Sequence, residues 1–240
     1  MFNFLKIIFS PIIAILDFIT KYFKTIVFLT IMYFLLVDSN ESLTETSNFA
    51  NLQKIELSGP IMDVSKTLEE IEKAKLDKNI KGILLVVNSP GGAVAPSVEL
   101  AYAIKELKAI KPVVAYASGV IASGSYYASI WADKIIANPG SMVGSIGVIM
   151  QGVNAEELMT KIGISTQTVK AGKYKESGTP TRKWLDYEEK QLQSVIDDTY
   201  TMFITDVAGA RNLDVKNHTL FADAKIFTAK QAKEVGLVDE

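Results

Sequence analysis

Apolar and polar residues follow one another along this chain with periods that change from segment to segment. Residues 53–57 form a short strand-like run, and residues 82–87 form a continuous apolar run of the kind found in buried strands. Residues 64–76 and 95–110 instead place apolar side chains at helical spacing. The pattern therefore predicts strand, helix, strand and helix in this order.

The same alternation continues towards the carboxyl terminus. A third strand begins at Val113 and leads through small residues into a predicted helix at 125–131. The remaining predicted elements are strands at 134–137, 146–150 and 165–170 and helices at 186–210 and 228–235. Alternating strands and helices predict an α/β domain with parallel strands and right-handed crossovers.

The first 37 residues differ from the rest of the chain. Residues 25–37 carry no charge, and Tyr22 and Phe23 extend this run past Lys24, whose apolar stem can lie along a membrane. The run is slightly short of the roughly 20 residues that a spanning helix prefers. Because no small-x-small cleavage site follows it, an uncleaved membrane anchor over residues 1–37 is favoured over a signal peptide.

Charges on either side of the anchor predict its orientation. Lysines precede it and acidic residues follow it, which places the N-terminus in the cytoplasm and the rest of the chain outside. The lysines are Lys6, Lys21 and Lys24. A weaker apolar stretch at 7–20 is either an interfacial helix or a second span, which would reverse this topology. A polar linker at 38–51 leads to a globular domain at 52–240.

Composition excludes several kinds of site. The chain has no cysteine, so it contains no disulfide, thiolate zinc site or cysteine nucleophile. Its net charge of −2 gives no basic footprint for nucleic acid. The single histidine, His218, lies in a polar stretch far downstream of the small-residue segments, which favours a surface residue over a member of a Ser-His-Asp triad.

The candidate nucleophile is a serine between a predicted strand and a predicted helix. Ser123 lies in the small-residue segment Ala122-Ser123-Gly124. At a helix N-terminus the backbone N–H groups and the helix dipole favour a developing anion. A tight turn packed into the core is the alternative for such a segment. The neighbouring hydroxyls of Ser118, Ser125 and Ser129 compete with Ser123 for the role.

Five short motifs occur in an order that resembles a known family. They are Asn88-Ser-Pro-Gly-Gly92, Ala122-Ser-Gly-Ser-Tyr-Tyr127, Ala132-Asp-Lys-Ile135, Gly144-Ser-Ile-Gly147 and Gly172-Lys-Tyr-Lys-Glu176. Behind an N-terminal anchor, they resemble signal peptide peptidase A and its relatives, membrane-anchored bacterial serine peptidases, in their short single-domain form. The resemblance covers about residues 52–240 and implies a Clp-protease/crotonase-like fold of repeated β-β-α units, preceded by a transmembrane helix.

The resemblance also implies a role for each matching residue. Ser123 matches the nucleophile, and Lys175 matches the general base of a Ser-Lys dyad. Gly92 matches one oxyanion-hole donor, the N–H of Gly124 is the implied second donor, and Ser145 matches a serine that orients the lysine. A serine hydroxyl is a weak nucleophile until a base takes its proton, and a lysine does so only in its neutral form, which burial favours.

Without the resemblance, the residues leave the base undecided. Lys170 and Lys173 flank Lys175, and a lysine in a Gly-rich loop is usually solvated. Tyr126 and Tyr127 are interpreted as core or substrate-wall residues. Asp133 is interpreted as structural, with a carboxylate that binds turn amides.

The implied function is that of a membrane-anchored serine endopeptidase that cleaves hydrophobic peptides, including signal peptides left in the membrane. The resemblance implies no metal or other cofactor and no nucleic-acid partner. It implies a homo-oligomeric ring on the periplasmic side of the bacterial inner membrane. Each site of that ring combines the serine of one protomer with the lysine of its neighbour, carried on a mobile Gly-rich segment. The alternatives are a crotonase-type acyl-CoA enzyme, a non-catalytic membrane scaffold and a general membrane-protein quality-control peptidase.

Overall fold

The computed structural model describes residues 17–33 and 51–240, which belong to two separate units. In the first unit, residues 17–33 form helix α1, whose side chains are exposed. This helix spans about 25 Å at 1.5 Å per residue and carries Asp17, Lys21 and Lys24. No helix of the described residues is both long and apolar enough to cross a membrane, so the transmembrane helix predicted from the sequence is not confirmed.

The rest of the predicted anchor lies outside the described residues. This holds for residues 1–16 and 34–37 and for the predicted linker up to residue 50. The orientation predicted for the anchor and the possible second span at 7–20 therefore stay predictions.

The strands of residues 51–240 form one six-stranded sheet. Their bounds are β1 (Leu52–Ser58), β2 (Gly82–Ser89), β3 (Val113–Ala122), β4 (Lys134–Ala137), β5 (Met142–Gly144) and β6 (Ile226–Thr228). β1, β2 and β3 lie side by side in parallel, and β3 pairs in parallel with both β4 and β5. Among the described strands only β6 is antiparallel, against β5. The predicted α/β class with mostly parallel strands is confirmed and is consistent with a Clp-protease/crotonase-like fold.

The helices of this unit cover the sheet and contribute to its core. Their bounds are α2 (Ser65–Leu76), α3 (Val94–Lys108), α4 (Gly124–Ser129), α5 (Glu156–Lys161), α6 (Asp186–Arg211) and α7 (Ala229–Glu234), with a 3-10 helix at Val215–Leu220. Helix α3 buries Leu100, Ile104 and Leu107, whose spacing places them on one face. They belong to the same apolar core as the buried strand residues Leu85 and Val87.

The longest strand, β3, changes its neighbour midway. Residues 114–117 pair with β4, whereas residues 120–122 pair with β5. Between these two parts β3 bulges, because Val87 and Ser89 of β2 pair with Ala117 and Ile121 of β3. The side chain of Asn88 stabilises the bulge by accepting a hydrogen bond of 3.0 Å from the Val120 N–H. The bulge carries the end of β3, and Ser123 after it, towards β5.

Two predicted strands are wrong. Residues 146–150 and 165–170 have no strand structure. The first error has a local cause, since Gly144 and Ser145 adopt φ values of 113° and 50° and turn the chain out of the extended conformation before residue 146. In the second segment Val169 is fully exposed.

Candidate active site

Ser123 lies between β3 and α4 in a backbone conformation that non-glycine residues rarely adopt. Its φ and ψ angles are 53° and −125°. Its N–H donates to the Gly144 carbonyl over 2.8 Å, and its carbonyl accepts from the Tyr127 N–H over 2.9 Å. Because both backbone groups are bonded, the turn is fixed and Ser123 stands at the N-terminus of α4, as its sequence context predicts.

Close contacts around the Ser123 turn require glycine at Gly91 and Gly124. A Cβ atom on Gly91, where φ is 90°, would lie 2.6 Å from the Gly124 nitrogen and 2.8 Å from the Ser123 Cβ. A Cβ atom on Gly124 would lie 2.2 Å from the Ser97 Oγ. These separations are shorter than van der Waals contact. Gly91 therefore lets the loop at residues 88–92 pack directly against the turn that carries Ser123, and Gly124 lets α3 approach the same turn.

The N–H of Gly92 points away from its neighbouring strand-like segment. Ile61 forms a parallel bridge with Gly92 through the Gly91 carbonyl, at 2.9 Å, and the Ala93 N–H, at 2.8 Å. In a bridge of this kind the amide of the central residue faces the opposite side. A Cβ atom on Gly124 would lie 3.4 Å from the Gly92 nitrogen, so the backbones of Gly92 and Gly124 are close together. Two adjacent backbone amides are suited to stabilise an oxyanion.

Ser123, Gly92 and Gly124 line one open pocket. Its apolar wall comes from α3, α4 and α6 and from the segment after β5. The wall residues are Val94, Val98, Tyr127, Val148, Ile149, Met202 and Phe203. The contribution of α6 could not be expected from the sequence, because Met202 lies 79 positions from Ser123 and belongs to an ordinary amphipathic stripe.

The two adjacent tyrosines have different roles, both anticipated from the sequence. Tyr126 is fully buried in the core and donates from its hydroxyl to the Leu237 carbonyl at 2.7 Å. Tyr127 lines the pocket, packs edge-on against Phe203 with ring centroids 4.9 Å apart, and donates to Asp206. Burial, reinforced by Asp206, raises the pKa of Tyr127 and keeps this phenol neutral. Tyr127 therefore forms a wall of the pocket.

Hydrogen bonding favours Ser123 over its three neighbouring serines. Ser125 is fully buried, and its Oγ donates to the Ser89 carbonyl at 2.6 Å and accepts from the Ala122 N–H at 2.9 Å. Ser129 is also buried and donates to the Ser125 carbonyl within α4. Ser118 donates to a carbonyl of β2. None of these three lines the pocket, so Ser123 is the best placed of the four hydroxyls to act on a ligand there.

The two other predicted site residues are Ser145 and Lys175. Ser145 adjoins Ser123, and Lys175 does not. The Gly144 carbonyl that binds the Ser123 N–H belongs to the peptide group preceding Ser145, and Ser145 itself is half-buried with φ of 50°. Lys175 lies in a turn in which its N–H donates to the Gly172 carbonyl at 3.2 Å. It is exposed, and it is not among the residues that line the pocket of this single chain.

The side chains of Lys170, Lys173 and Lys175, which the sequence leaves as equal candidates for the base, make different contacts in the structure. Lys170 forms an ion pair with Glu176 at 2.8 Å, and this hydrogen-bonded carboxylate raises the pKa of Lys170, which keeps it protonated. The ammonium group of Lys173 lies 4.4 Å from the centre of the Tyr187 ring. Within residues 51–240, no hydrogen bond or ion pair involves the Lys175 side chain. Of the three lysines, Lys175 is therefore the one whose side chain makes no such contact.

Asp133 and His218 lie apart from this pocket. Asp133 accepts a hydrogen bond of 2.8 Å from the Val113 N–H at the start of β3, which confirms its structural interpretation. His218 lies in the 3-10 helix, where its Nδ1 is 3.4 Å from the Tyr200 hydroxyl. Neither residue lines the pocket that contains Ser123.

Acyl transfer is the chemistry that this arrangement suits, because a hydroxyl at a helix N-terminus stands beside two close backbone amides. The fold and the pocket thus define an α/β protein with a hydrolase-type site. The chain belongs to peptidase family S49, whose model matches residues 105–240 and so includes Ser123, Ser145 and Lys175. This membership, together with its relatives, identifies the chain as a member of the signal peptide peptidase A family.

Three relatives illustrate this similarity. A Methanocaldococcus jannaschii protein with a provisional protease name is 49% identical over 174 residues, which are 72% of this chain and 55% of that protein. An Enterococcus faecium protein provisionally named signal peptide peptidase SppA is 34% identical, with 84% of this chain and 63% of that protein covered. The chloroplastic serine protease SPPA of Arabidopsis thaliana is 31% identical, with 75% and 27% covered. The chain thus spans about half to two thirds of the length of the first two relatives.

A solved structure shares the fold. It is that of a membrane-bound stomatin-specific protease in mutant form, which aligns with a TM-score of 0.53 at 15% sequence identity. The alignment covers 78% of this chain and 77% of that one.

Proposed function

We propose that this protein is a serine endopeptidase of the signal peptide peptidase A type with a Ser123–Lys175 dyad. The observation that carries the proposal is the fixed turn of Ser123 in one pocket with Gly92 and Gly124. Donors already directed at a developing oxyanion stabilise the transition state, and the loss of one typically costs about 3 kcal/mol.

In the proposed reaction, neutral Lys175 takes the proton of the Ser123 hydroxyl as its Oγ attacks the scissile carbonyl carbon. The oxyanion accepts hydrogen bonds from the amides of Gly92 and Gly124. The carbon–nitrogen bond then breaks, Lys175 gives its proton to the leaving amine, and the acyl group remains on Ser123 as an ester. Attack by water, again with Lys175 as base, releases the second product and restores the hydroxyl.

The exposure of Lys175 supports a site shared between subunits. A solvated lysine stays protonated near neutral pH, so a base needs a partner surface that excludes water from it. The segment between the pocket and Lys175 also exposes large apolar side chains, as expected of a surface that becomes covered. These are Val153, Leu158, Ile162, Ile164 and Val169. We therefore propose a homo-oligomeric ring in which the Lys175 of one subunit serves the Ser123 of its neighbour.

The apolar wall of the pocket supports hydrophobic peptides as substrates. Val94, Val98 and Met202 carry no charge that could pair with a bound side chain. An apolar substrate residue therefore costs the least free energy of desolvation when it enters the pocket. Signal peptides left in the membrane are a class of peptide with this composition. A location in the bacterial inner membrane, with residues 1–37 as anchor and the domain outside the cytoplasm, is part of the same proposal.

The proposal is tested with Ser123→Ala and Lys175→Met in the full chain, each assayed on an apolar peptide ester and labelled with a serine-reactive fluorophosphonate. We expect both variants to fold and to lose cleavage, and labelling to disappear in Ser123→Ala. Cleavage by Ser123→Ala would remove Ser123 from the mechanism. Absence of labelling in the wild-type protein would favour the scaffold alternative, and turnover of acyl-CoA would favour the crotonase alternative.

A further inference from the structure

The segment that carries Lys175 is tied to the first turn of α6 by aromatic contacts. Tyr174 packs edge-on against Tyr187, with ring centroids 5.3 Å apart. The Tyr187 hydroxyl donates to the Lys173 carbonyl at 3.3 Å, and the Lys173 ammonium group lies over the Tyr187 ring. The residue before Lys175 in the chain is therefore fixed against a helix.

The residue after Lys175 is fixed by a chain of ion pairs. Arg182 forms a two-pronged contact with Glu188, with both nitrogen–oxygen distances 2.8 Å. The same guanidinium donates from Nη2 to Glu176 at 3.1 Å, and Glu176 also accepts from Lys170 at 2.8 Å. Glu188 is fully buried, and it accepts from the Leu185 N–H at the start of α6.

This network exceeds what the start of a helix requires. An exposed Ser, Thr or Asp is sufficient to cap a helix N-terminus. Here the cap is a fully buried carboxylate, which needs a paired cation because an unpaired buried charge is strongly destabilising. The planar fork of Arg182 supplies that cation and has a further donor for Glu176. The extension to Glu176 adds nothing to the cap and instead fixes the neighbour of Lys175.

We propose that Arg182 is a positioning residue for Lys175, acting through Glu176. The fork on Glu188 holds Arg182 rigidly, Arg182 holds Glu176, and the backbone of Glu176 sets where the lysine of one subunit stands against the serine of the next. The inference rests on the proposed function in one respect, namely that Lys175 is the base. Its physical reason is that proton transfer requires the two groups within hydrogen-bond reach, and a displacement of about 1 Å can cost up to roughly a hundredfold in rate.

Arg182→Lys is the sharpest test, because it keeps the positive charge and removes the fork. Its matched control is Arg211→Lys at the C-terminus of α6, where Arg211 forms a similar fork on Asp239 with distances of 3.1 and 2.9 Å. Both variants are made in the full chain, and kcat, KM and thermal unfolding are measured. We expect kcat to fall by roughly tenfold or more in Arg182→Lys with KM within about twofold, and kcat to be unchanged in Arg211→Lys.

A second variant covers the case in which Arg182→Lys does not fold. Glu176→Gln removes the charge of Glu176 and leaves the Arg182–Glu188 pair intact, so we expect a folded protein with the same selective loss of kcat. If both variants keep kcat near wild type while Lys175→Met is inactive, the positioning role is wrong and the proposed function stands. Equal losses of kcat in Arg182→Lys and Arg211→Lys would mean that the network stabilises the fold in general and does not position Lys175. An active Lys175→Met would overturn the proposed function itself, and the positioning role with it.

Discussion

The backbone of Ser123 is held in a conformation that a side chain with a Cβ atom rarely adopts. Its φ of 53° and ψ of −125° are typical of glycine, and strain of this kind costs about 1–3 kcal/mol. The structure nevertheless imposes it through the hydrogen bonds to Gly144 and Tyr127. Such strain at Ser123, in a pocket with two close amides, is expected where function rather than stability selects the conformation.

This strain makes a prediction about two inactive variants. Ser123→Gly relieves the strain, whereas Ser123→Ala keeps it. Glycine also gives the unfolded chain more freedom, which offsets about 0.4–1 kcal/mol of the gain. We expect Ser123→Gly to have a free energy of unfolding about 1 kcal/mol greater than that of Ser123→Ala, measured by chemical denaturation. If the alanine variant were the more stable, the conformation would not be strained.

The carboxylate at the start of α6 predicts how stability depends on pH. Hydrogen bonds from Arg182, joined by the Leu185 N–H, lower the pKa of Glu188 to about 2, against about 4.5 for a free glutamate. The folded state therefore holds the charged form more tightly than the unfolded state does. This stabilisation is complete above pH 4.5 and is lost as pH falls through about 2.

Glu188→Gln tests this dependence in the window between about pH 4.5 and pH 2. We expect its free energy of unfolding to be lower than that of the wild type at pH 7, and to change less steeply with pH within that window. Glu99→Gln, at an exposed position of α3, is the control and should keep the wild-type slope. A wild-type slope in Glu188→Gln would assign the acid sensitivity to other carboxylates.

Long elements could be predicted from the sequence because their periodicity extends over many residues. The predicted helix at 186–210 differs from α6 by one residue. The three-residue strands β5 and β6 were missed, since so short a segment contains no period. The false strand at 165–170 reads as extended in the sequence, but within the described chain it has no strand beside it to pair with.

Some features of the candidate site could be predicted from the sequence, and others could not. The motif order anticipated the approach of Gly92, Gly124 and Ser123, which the fold brings about through the β3 bulge and the glycine contacts. The wall residue Met202 and the contacts of Arg182 with Glu176 and Glu188 could not be predicted from the sequence. Both depend on where α6 lies in three dimensions, which its periodicity does not determine.

The proposal of a site built from two subunits rests on where Ser123 and Lys175 lie in the domain. Ser123 lines a pocket, whereas Lys175 is exposed and does not line that pocket. In a ring the interface is heterologous, so each subunit presents its serine to one neighbour and its lysine to the other. The proposed interface would also exclude water from Lys175. An isolated subunit is then expected to be folded and inactive.

Mixing two inactive variants tests this arrangement. Ser123→Ala and Lys175→Ala each lack one half of every site, so rings of either variant alone should not cleave peptides. In an equal random mixture an interface works only when an intact Ser123 faces an intact Lys175, which occurs at about one half times one half, or roughly a quarter, of interfaces. We expect co-expressed, purified mixed rings to recover about that share of wild-type activity. Mixed rings without activity would mean that each site is built within one chain, and that Lys175 reaches the pocket of its own subunit by a movement of residues 172–178.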